Sequence, residues 1–331
     1  MVVEEQEEQE EEAGIGRQRK SVEEEEIGAT ALEGLLLLPP QLQKLLIHKC
    51  PELSLHPDSL DDELALRGGG LQGLCSLRSL KISDCPKFLS SYLLSSSCFP
   101  FPTSLQQLTL SGLEGMETLE PLTNLASLTK LEISWCGDIR AEGLWQLLSH
   151  GCLIELSVSG APNFFVGSEP SQLHEQDLSS NLQKLATNDI AGFFVTSICR
   201  LLSSSLTKLE ISDSEMESFT KEQDEALQLL TALQELVLLS CENLRYLPAR
   251  VCRLPNLKIL EINYCKAIHW LPKEGLPNSL EELSIYDPTA IRTLPKHGLP
   301  SSLRRLNVSG TELNSQARKL IGTIPIVWTN Y

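Results

Sequence analysis

Aromatic residues are scarce in this chain, at 5% of the whole, and only 3 methionines occur among 331 residues. A core assembled around large rings is therefore excluded, and aliphatic side chains must hold the fold together. Long apolar runs are missing as well. The longest leucine run, Leu35 to Leu38, stops at Pro39 and Pro40, far short of the roughly 20 residues that a membrane-spanning helix needs. The opening MVVEEQEEQEEE has no apolar segment behind a basic start, so it is not a secretory signal, and a cytoplasmic or nuclear location is expected. Basic charge is in short supply: 27 Lys and Arg against 44 Asp and Glu leave a net charge of −17. Without a basic stripe to neutralise phosphates, nucleic-acid binding is disfavoured.

Chemistry-bearing clusters are lacking too. The chain has 10 cysteines but no C-x-x-C pair. His48, His56, His150, His174, His269 and His297 are scattered, and none has both a nucleophile and a carboxylate at a motif spacing. His150 beside Cys152 reads as a loop histidine next to a thiol. The segment Gly14 to Ser21 resembles a phosphate loop only superficially, because Arg19 stands where the second glycine is required and a glutamate run precedes it instead of a strand. The expectation is a non-enzyme with no cofactor and no metal.

What the chain does have is repetition. The phrase Leu-x-x-Leu-x-(Leu/Ile/Val)-x-x-(Cys or small) starts near residues 42, 77, 105, 128, 153, 182, 206, 233, 257, 280 and 303, at intervals of 23 to 35 residues. Its clearest copies are LQKLLIHKC (42–50), LRSLKISDC (77–85), LTKLEISWC (128–136), LQELVLLSC (233–241) and LKILEINYC (257–265). Side chains alternate across a strand, so the fourth and sixth residues point inward while the first leucine fills the bend leading in. One copy cannot bury that apolar edge alone; stacked copies form a continuous ladder, which is the leucine-rich-repeat period. The predicted fold is an α/β solenoid. A parallel concave sheet of about 11 strands forms one side, and loops, turns and short helices form the convex side. At about 4.8 Å per strand the sheet forms an arc roughly 50 Å long, a surface suited to a protein or peptide.

Residues 1–26 carry eleven glutamates against Arg17, Arg19 and Lys20. Such low-complexity acidic sequence lacks apolar content, so residues 1–33 are read as an acidic disordered tail and 34–331 as the repeat domain. The first phrase has no evident cap, and an unpaired sheet edge is expected near Leu42 to Ile47. At the other end, Leu320 to Trp328 is expected to fold across the last repeat and cover its core.

Cys50, Cys85, Cys136, Cys241 and Cys265 all hold the ninth position of a copy. A buried thiol is small enough for the turn after each strand, and Ser214, Ala161 or Thr311 can replace it, so these form a structural ladder. Cys75, Cys98, Cys152, Cys199 and Cys252 lie between strands and are read as buried or half-buried thiols. The Gly68–Gly70 run reads as a flexible loop. Leu-Pro steps in 247–258, 271–282 and 294–305 favour turns over long helices on the convex side. Residues 141–149 suit a two-turn helix that buries Leu144, Leu147 and Leu148. Phe164, Phe165, Phe193 and Phe194 are expected to fill the spine behind the strands.

The concave face is built by the third, fifth and seventh residues of each phrase, often joined by the eighth. It contains Lys81 and Asp84; Lys130, Glu132 and Trp135; Lys208, Glu210 and Asp213; Glu261, Asn263 and Tyr264; Glu282, Tyr286 and Asp287; and Arg305 and Asn307. Trp135, Tyr264 and Tyr286 are the anchor candidates, because rigid aromatics bury much area at small entropic cost. The competing reading is a solvated strand face whose charges pair with one another. Asn307-Val308-Ser309 fits a glycosylation sequon, here a chance match on a strand.

The fragments LLLLPPQLQKLLIHKCPELSL (35–55), LTKLEISWCGDIRAEGLWQLL (128–148), the repeated GLPxSL of 275–280 and 298–303, and RKLIGTIPIV (318–327) together resemble the C-terminal leucine-rich repeats of plant intracellular nucleotide-binding disease-resistance proteins, particularly those of cereals and grasses. The resemblance covers roughly residues 34–331. It implies recognition of a pathogen effector or a guarded host protein in defence, and contact with the nucleotide-binding domain of a receptor, whose switch motifs this sequence lacks. LEISWCGDIRAEGL also resembles the repeats of F-box substrate adaptors of ubiquitin ligases, although no F-box is recognisable here.

Overall fold

The computed structural model describes residues 24–27, 38–55, 70–90, 99–167, 180–272, 274–287, 291–294 and 299–330. The rest of the acidic tail, the 14–21 segment, Gly68, Gly69, His56, His174, His297 and Cys98 lie outside the described residues. Gly70 opens a short 3-10 turn, Gly70–Gly73.

Each phrase contributes one strand made of its third to seventh residues, or third to sixth in the copy starting at 182, and the strands pair in parallel in chain order as one 13-stranded sheet. They are β1 (Glu24–Ile27), β2 (Lys44–His48), β3 (Ser79–Ser83), β4 (Gln107–Ser111), β5 (Lys130–Ser134), β6 (Glu155–Ser159), β7 (Lys184–Thr187), β8 (Lys208–Ser212), β9 (Glu235–Leu239), β10 (Ile259–Asn263), β11 (Glu282–Tyr286), β12 (Arg305–Ser309) and β13 (Ile326–Asn330). The fold is a leucine-rich-repeat solenoid, as the period requires.

The register explains the core. Leu80 lies opposite Leu45 and Leu108, and Ile82 lies opposite Ile47 and Leu110; the same alignment recurs from rung to rung, so every fourth and sixth residue stacks on its counterpart. Leu131, Leu209, Leu260, Leu283 and Leu306 are all fully buried. Burying such a side chain stabilises the fold by about 1.5–3 kcal/mol. Behind the ladder, Leu144–Ser149 is a helix with Leu144, Leu147 and Leu148 buried, as the spacing predicts. The remaining back elements are equally short: helices Ile190–Phe193, Thr196–Leu201 and Lys221–Leu227, and 3-10 turns Glu120–Leu122 and Ala249–Arg253. A capping box between Thr220 and Gln223 starts the helix at Lys221.

The phenylalanines form the expected spine. Phe164 and Phe165 meet at 4.9 Å between ring centres, Phe165 and Phe193 at 5.5 Å, and Phe193 and Phe194 at 5.0 Å. Phe219 extends the row at 5.4 Å from Phe194. At its centre the buried Asp189 accepts hydrogen bonds from the backbone N–H of Phe165 at 2.7 Å and of Gly192 at 2.8 Å, tying one repeat to the next.

Three expectations are corrected. The sheet has two more strands than the phrases predict, because both ends are extended by segments without the motif. Glu24–Ile27, inside the segment assigned to the acidic tail, pairs with β2, Glu24 opposite Lys44 and Ile27 opposite Ile47. Main-chain pairing at an open parallel edge does not depend on side-chain polarity, so the β2 edge is covered. At the far end Leu320 to Trp328 does cover the last repeat, with Ile324 buried and Leu320 and Val327 packed on the core, but as an added strand and not as a segment crossing it. The chain forms a helix, Thr311–Arg318, and then β13, which continues the sheet with Val327 opposite Leu306. Finally, Cys75 and Cys152 are exposed instead of buried or half-buried.

Candidate functional site

The cysteine ladder is a structural element. Each ninth-position thiol lies within hydrogen-bonding reach of the carbonyl two residues before it: Cys85 Sγ to Ser83 O at 3.2 Å, Cys136 to Ser134 at 3.4 Å, Cys265 to Asn263 at 3.4 Å, Cys50 to His48 at 3.5 Å and Cys241 to Leu239 at 3.6 Å. Burial pushes the Cys85 and Cys136 thiols up, away from the reactive thiolate. Contact with Cys265, together with burial, does the same for Cys241. Burial alone holds Cys199 at about 12.

The strand face is a lattice of ion pairs. Lys130 Nζ reaches Glu132 at 2.8 Å and Glu155 at 3.7 Å, and Lys184 reaches Glu155 at 2.5 Å. Lys208 meets Glu235 at 2.6 Å, and Arg305 meets Glu282 at 2.6 Å. The Glu132 hydrogen bond raises the Lys130 pKa, and the Lys184 hydrogen bond lowers that of Glu155. Burial pulls Lys208 down, but the hydrogen bond and charge of Glu235, with the charges of Glu210 and Glu261, outweigh it and leave the group raised. Glu261 accepts from Asn263 at 3.3 Å, and the largely buried Asn307 donates to Glu282 at 3.1 Å and to Ser284 at 2.9 Å. Most predicted face residues are therefore engaged with one another. Lys81 is exposed, on the strand nearer the N-terminal end.

The eighth position differs. Lys49, Asp84, Trp135, Asp213, Ser240, Tyr264 and Asp287 all have a left-handed backbone, with φ between 48° and 56°, and Gly112, Gly160 and Gly310 hold the same position at φ 63°, 71° and 98°. The turn is sustained because the eighth N–H donates to the carbonyl at the end of the next strand, as in Trp135 to Ser159 at 3.1 Å and Tyr264 to Tyr286 at 3.0 Å. Bulky residues in this conformation are rare, since Cβ crowds the backbone. Yet Trp135 is 70% exposed and Tyr264 is 52% exposed. Only a glycine can lie beside Trp135: a Cβ on Gly160 would come within 2.8 Å of the indole ring. Tyr286, the third aromatic candidate, is half-buried one strand beyond Tyr264. The row of eighth residues forms a rim along the C-terminal ends of the strands. The glycines in three of the copies were its signal in the sequence, although the phrase itself marks the eighth position as variable.

Sequence reasoning also missed a stacked pair outside the face. Tyr246 and Trp270, about half exposed, lie 5.9 Å apart and 13° from parallel, and His269 sits beside Trp270 at 5.4 Å. Nothing in the phrase specifies either position. Trp328 on β13 is a further exposed aromatic on the sheet, opposite Asn307. Among the described residues no group of three or more His, Cys, Asp or Glu side chains could hold a metal ion, and no helix is long and apolar enough to cross a membrane.

Comparison with known proteins agrees with this architecture. The family model described as Leucine Rich repeat matches residues 124–144. The crystal structure of TLR13 in complex with ssRNA13 is similar at a TM-score of 0.55 and 18% identity, over 91% of this chain and 42% of that one. The chain thus spans less than half the length of that protein. A leucine-rich-repeat protein of Leptospira interrogans aligns at a TM-score of 0.40 and 18% identity, over 91% of this chain and 80% of that one. The plant peptide hormone receptor RGFR1 in complex with RGF2 aligns at 0.39 and 15% identity, over 89% and 44%. No curated protein sequence matches the chain. By repeat and fold, the chain is a leucine-rich-repeat solenoid.

Proposed function

We propose that this chain is a non-enzymatic protein-recognition module of a plant immune receptor, which senses a pathogen effector or a guarded host protein in the defence response. It acts in the cytoplasm or nucleus, in company with a nucleotide-binding switch domain. The observation that carries the reading is the exposure of Trp135 and Tyr264 on a sheet whose other polar groups are largely paired with one another. Exposed aromatics beside a concave surface are what a protein partner buries. The plant-defence part of the reading stands on the resemblance of the repeat fragments.

The test is amine-reactive cross-linking of the endogenous protein in infected and uninfected plant tissue. The expected result is cross-links from Lys81, Lys130 or Lys208 to an effector, to a host protein targeted by one, or to a nucleotide-binding domain. Recovery of a ubiquitin-ligase core subunit in their place would move the chain to the F-box adaptor class.

A further inference from the structure

We propose that the rim of eighth-position residues, and not the middle of the strand face, seats the partner, and that the seated element is an extended polypeptide segment bearing arginine or lysine. This rests on the reading of the chain as a protein-recognition module and specifies the chemistry of what it recognises.

Three observations converge on it. Of the exposed aromatics on the concave side, Trp135 and Tyr264 lie on the rim in backbone conformations that push their rings away from the core, while Trp328 stands on the last strand at the C-terminal edge of the sheet. A Trp beside Gly160, where the missing Cβ leaves room for the ring, presents a flat apolar surface to solvent. Beyond Lys49 at its N-terminal end the rim is acidic, although Asp84 lies 3.6 Å from His48. Between Asp84 and Asp287 the eighth residues include no cation, and Asp213 and Asp287 make no ion pair among the described residues. Just behind the rim, Glu114, Asp138 and Glu215 are exposed, while Lys266 is held by Glu242 at 2.8 Å and Lys87 by Glu52 at 2.7 Å.

The strand face contrasts with this, because Lys130, Lys184, Lys208 and Arg305 each meet a glutamate at 2.5–2.8 Å, and Glu261 accepts from Asn263. A partner on the face must break those pairs, whereas one on the rim meets the exposed carboxylates of Asp213 and Asp287, neither of which makes an ion pair among the described residues. Aromatic rings beside carboxylates favour a guanidinium or ammonium, which stacks on the ring and pairs with the acid. An anionic partner such as nucleic acid is repelled. Trp135 and Tyr264 follow strands five steps apart, about 24 Å at 4.8 Å per strand, which an extended segment of about seven residues spans.

The experiment uses the full chain and three fluorescein-labelled dodecapeptides of glycine and leucine carrying four arginines, no charge, or four glutamates, with binding read by fluorescence anisotropy at low and moderate salt. The arginine peptide is expected to bind at least about tenfold tighter than the neutral one and to weaken with salt. The double variant Trp135→Ala/Tyr264→Ala should lose about tenfold in affinity, and Asp213→Asn/Asp287→Asn should lose several-fold and flatten the salt dependence. The variant Glu120→Gln/Glu142→Gln, with the same change of net charge on the convex side, should bind as the wild type does.

The proposal is overturned if the arginine peptide binds no tighter than the neutral one, or if the aromatic double variant binds unchanged. It also falls if the convex-side variant loses as much as Asp213→Asn/Asp287→Asn, since that is the signature of unspecific attraction to an acidic protein. Loss of binding in Glu210→Ala/Glu261→Ala with the rim variants unaffected would place the partner on the strand face; protein recognition would stand and the rim assignment would fall.

Discussion

The strand face and the rim are built from the same phrase, two or three residues apart, yet they solve opposite problems. On the face, Lys130, Glu132, Glu155 and Lys184 form a chain of ion pairs across neighbouring strands, and Lys208–Glu235 and Arg305–Glu282 repeat the arrangement further along. Partly exposed pairs of this kind add little stability individually, but they leave few charges for a partner. On the rim, Trp135 and Tyr264 occupy a strained backbone and remain in water, which disfavours the isolated protein on both counts. Residues that lower the fitness of the fold for itself are where a binding function is to be sought.

The largest way to break this comparison is to remove what both regions stand on. Leu209 is fully buried in β8 beneath Lys208 and Glu210. Leu209→Ala is expected to cost about 3 kcal/mol in urea unfolding and to weaken peptide binding with it, because face and rim are carried by one ladder. A loss below about 1 kcal/mol would show that neighbouring rungs close the cavity.

Asp189 sharpens the contrast, because it holds the eighth position of its copy and yet departs from the row. Its φ is −93°, its side chain is buried, and it caps the helix Ile190–Phe193. Asp189→Ala orphans the N–H groups of Phe165 and Gly192, and an expected loss of about 2 kcal/mol follows, checked by thermal melts. Binding of the arginine peptide by the folded fraction should not change. Burial raises the Asp189 pKa, so its ionisation in the folded state becomes increasingly unfavourable as pH rises from the unfolded value through the folded one, and the wild type should lose that part of its stability there.

Glu155 has the opposite sign and a smaller effect. Lys184 lowers its pKa below the ordinary 4.5, so its contribution is complete above that value and disappears as pH falls through the lower folded one. With Lys184 54% exposed, the pair is worth about 0.5 kcal/mol. Glu155→Gln should therefore be less stable than wild type by that amount at pH 7 and indistinguishable from it near pH 2. A difference that persists at low pH would mean that Glu155 acts through packing and not through its charge.

Most of the fold was legible because it depends on side-chain periodicity. Leu42, Leu77 and their counterparts, the ninth-position cysteines, the helix at Leu144–Ser149 and the phenylalanine spine all follow from which residues can be buried. The two terminal strands were not legible, since β1 joins through main-chain hydrogen bonds that EEEI does not advertise. The rim was half legible: Trp135 and Tyr264 stood out as aromatics, but their shared left-handed turn is a property of the backbone, visible in the sequence only through Gly112, Gly160 and Gly310. The pairing of the face charges was legible as the competing reading of that face, Lys130 with Glu132 included, but the further reach of Lys130 and Lys184 to Glu155 depends on register and rotamer and not on spacing.

The one substitution whose effects on stability oppose each other is also the most discriminating. Trp135→Gly removes a Cβ from a φ of 54°, relieving about 1 kcal/mol of strain. It also gives up the contact of the ring with Gly160 and adds about 0.5–1 kcal/mol of unfolded-chain entropy. These oppose each other, so the unfolding free energy should stay within about 1 kcal/mol of wild type while the affinity for the arginine peptide drops. A rim tryptophan kept for the fold would give the reverse pattern, lower stability with binding intact. Such a result would place Trp135 with the leucines as a structural residue and leave Tyr264 to carry the rim alone.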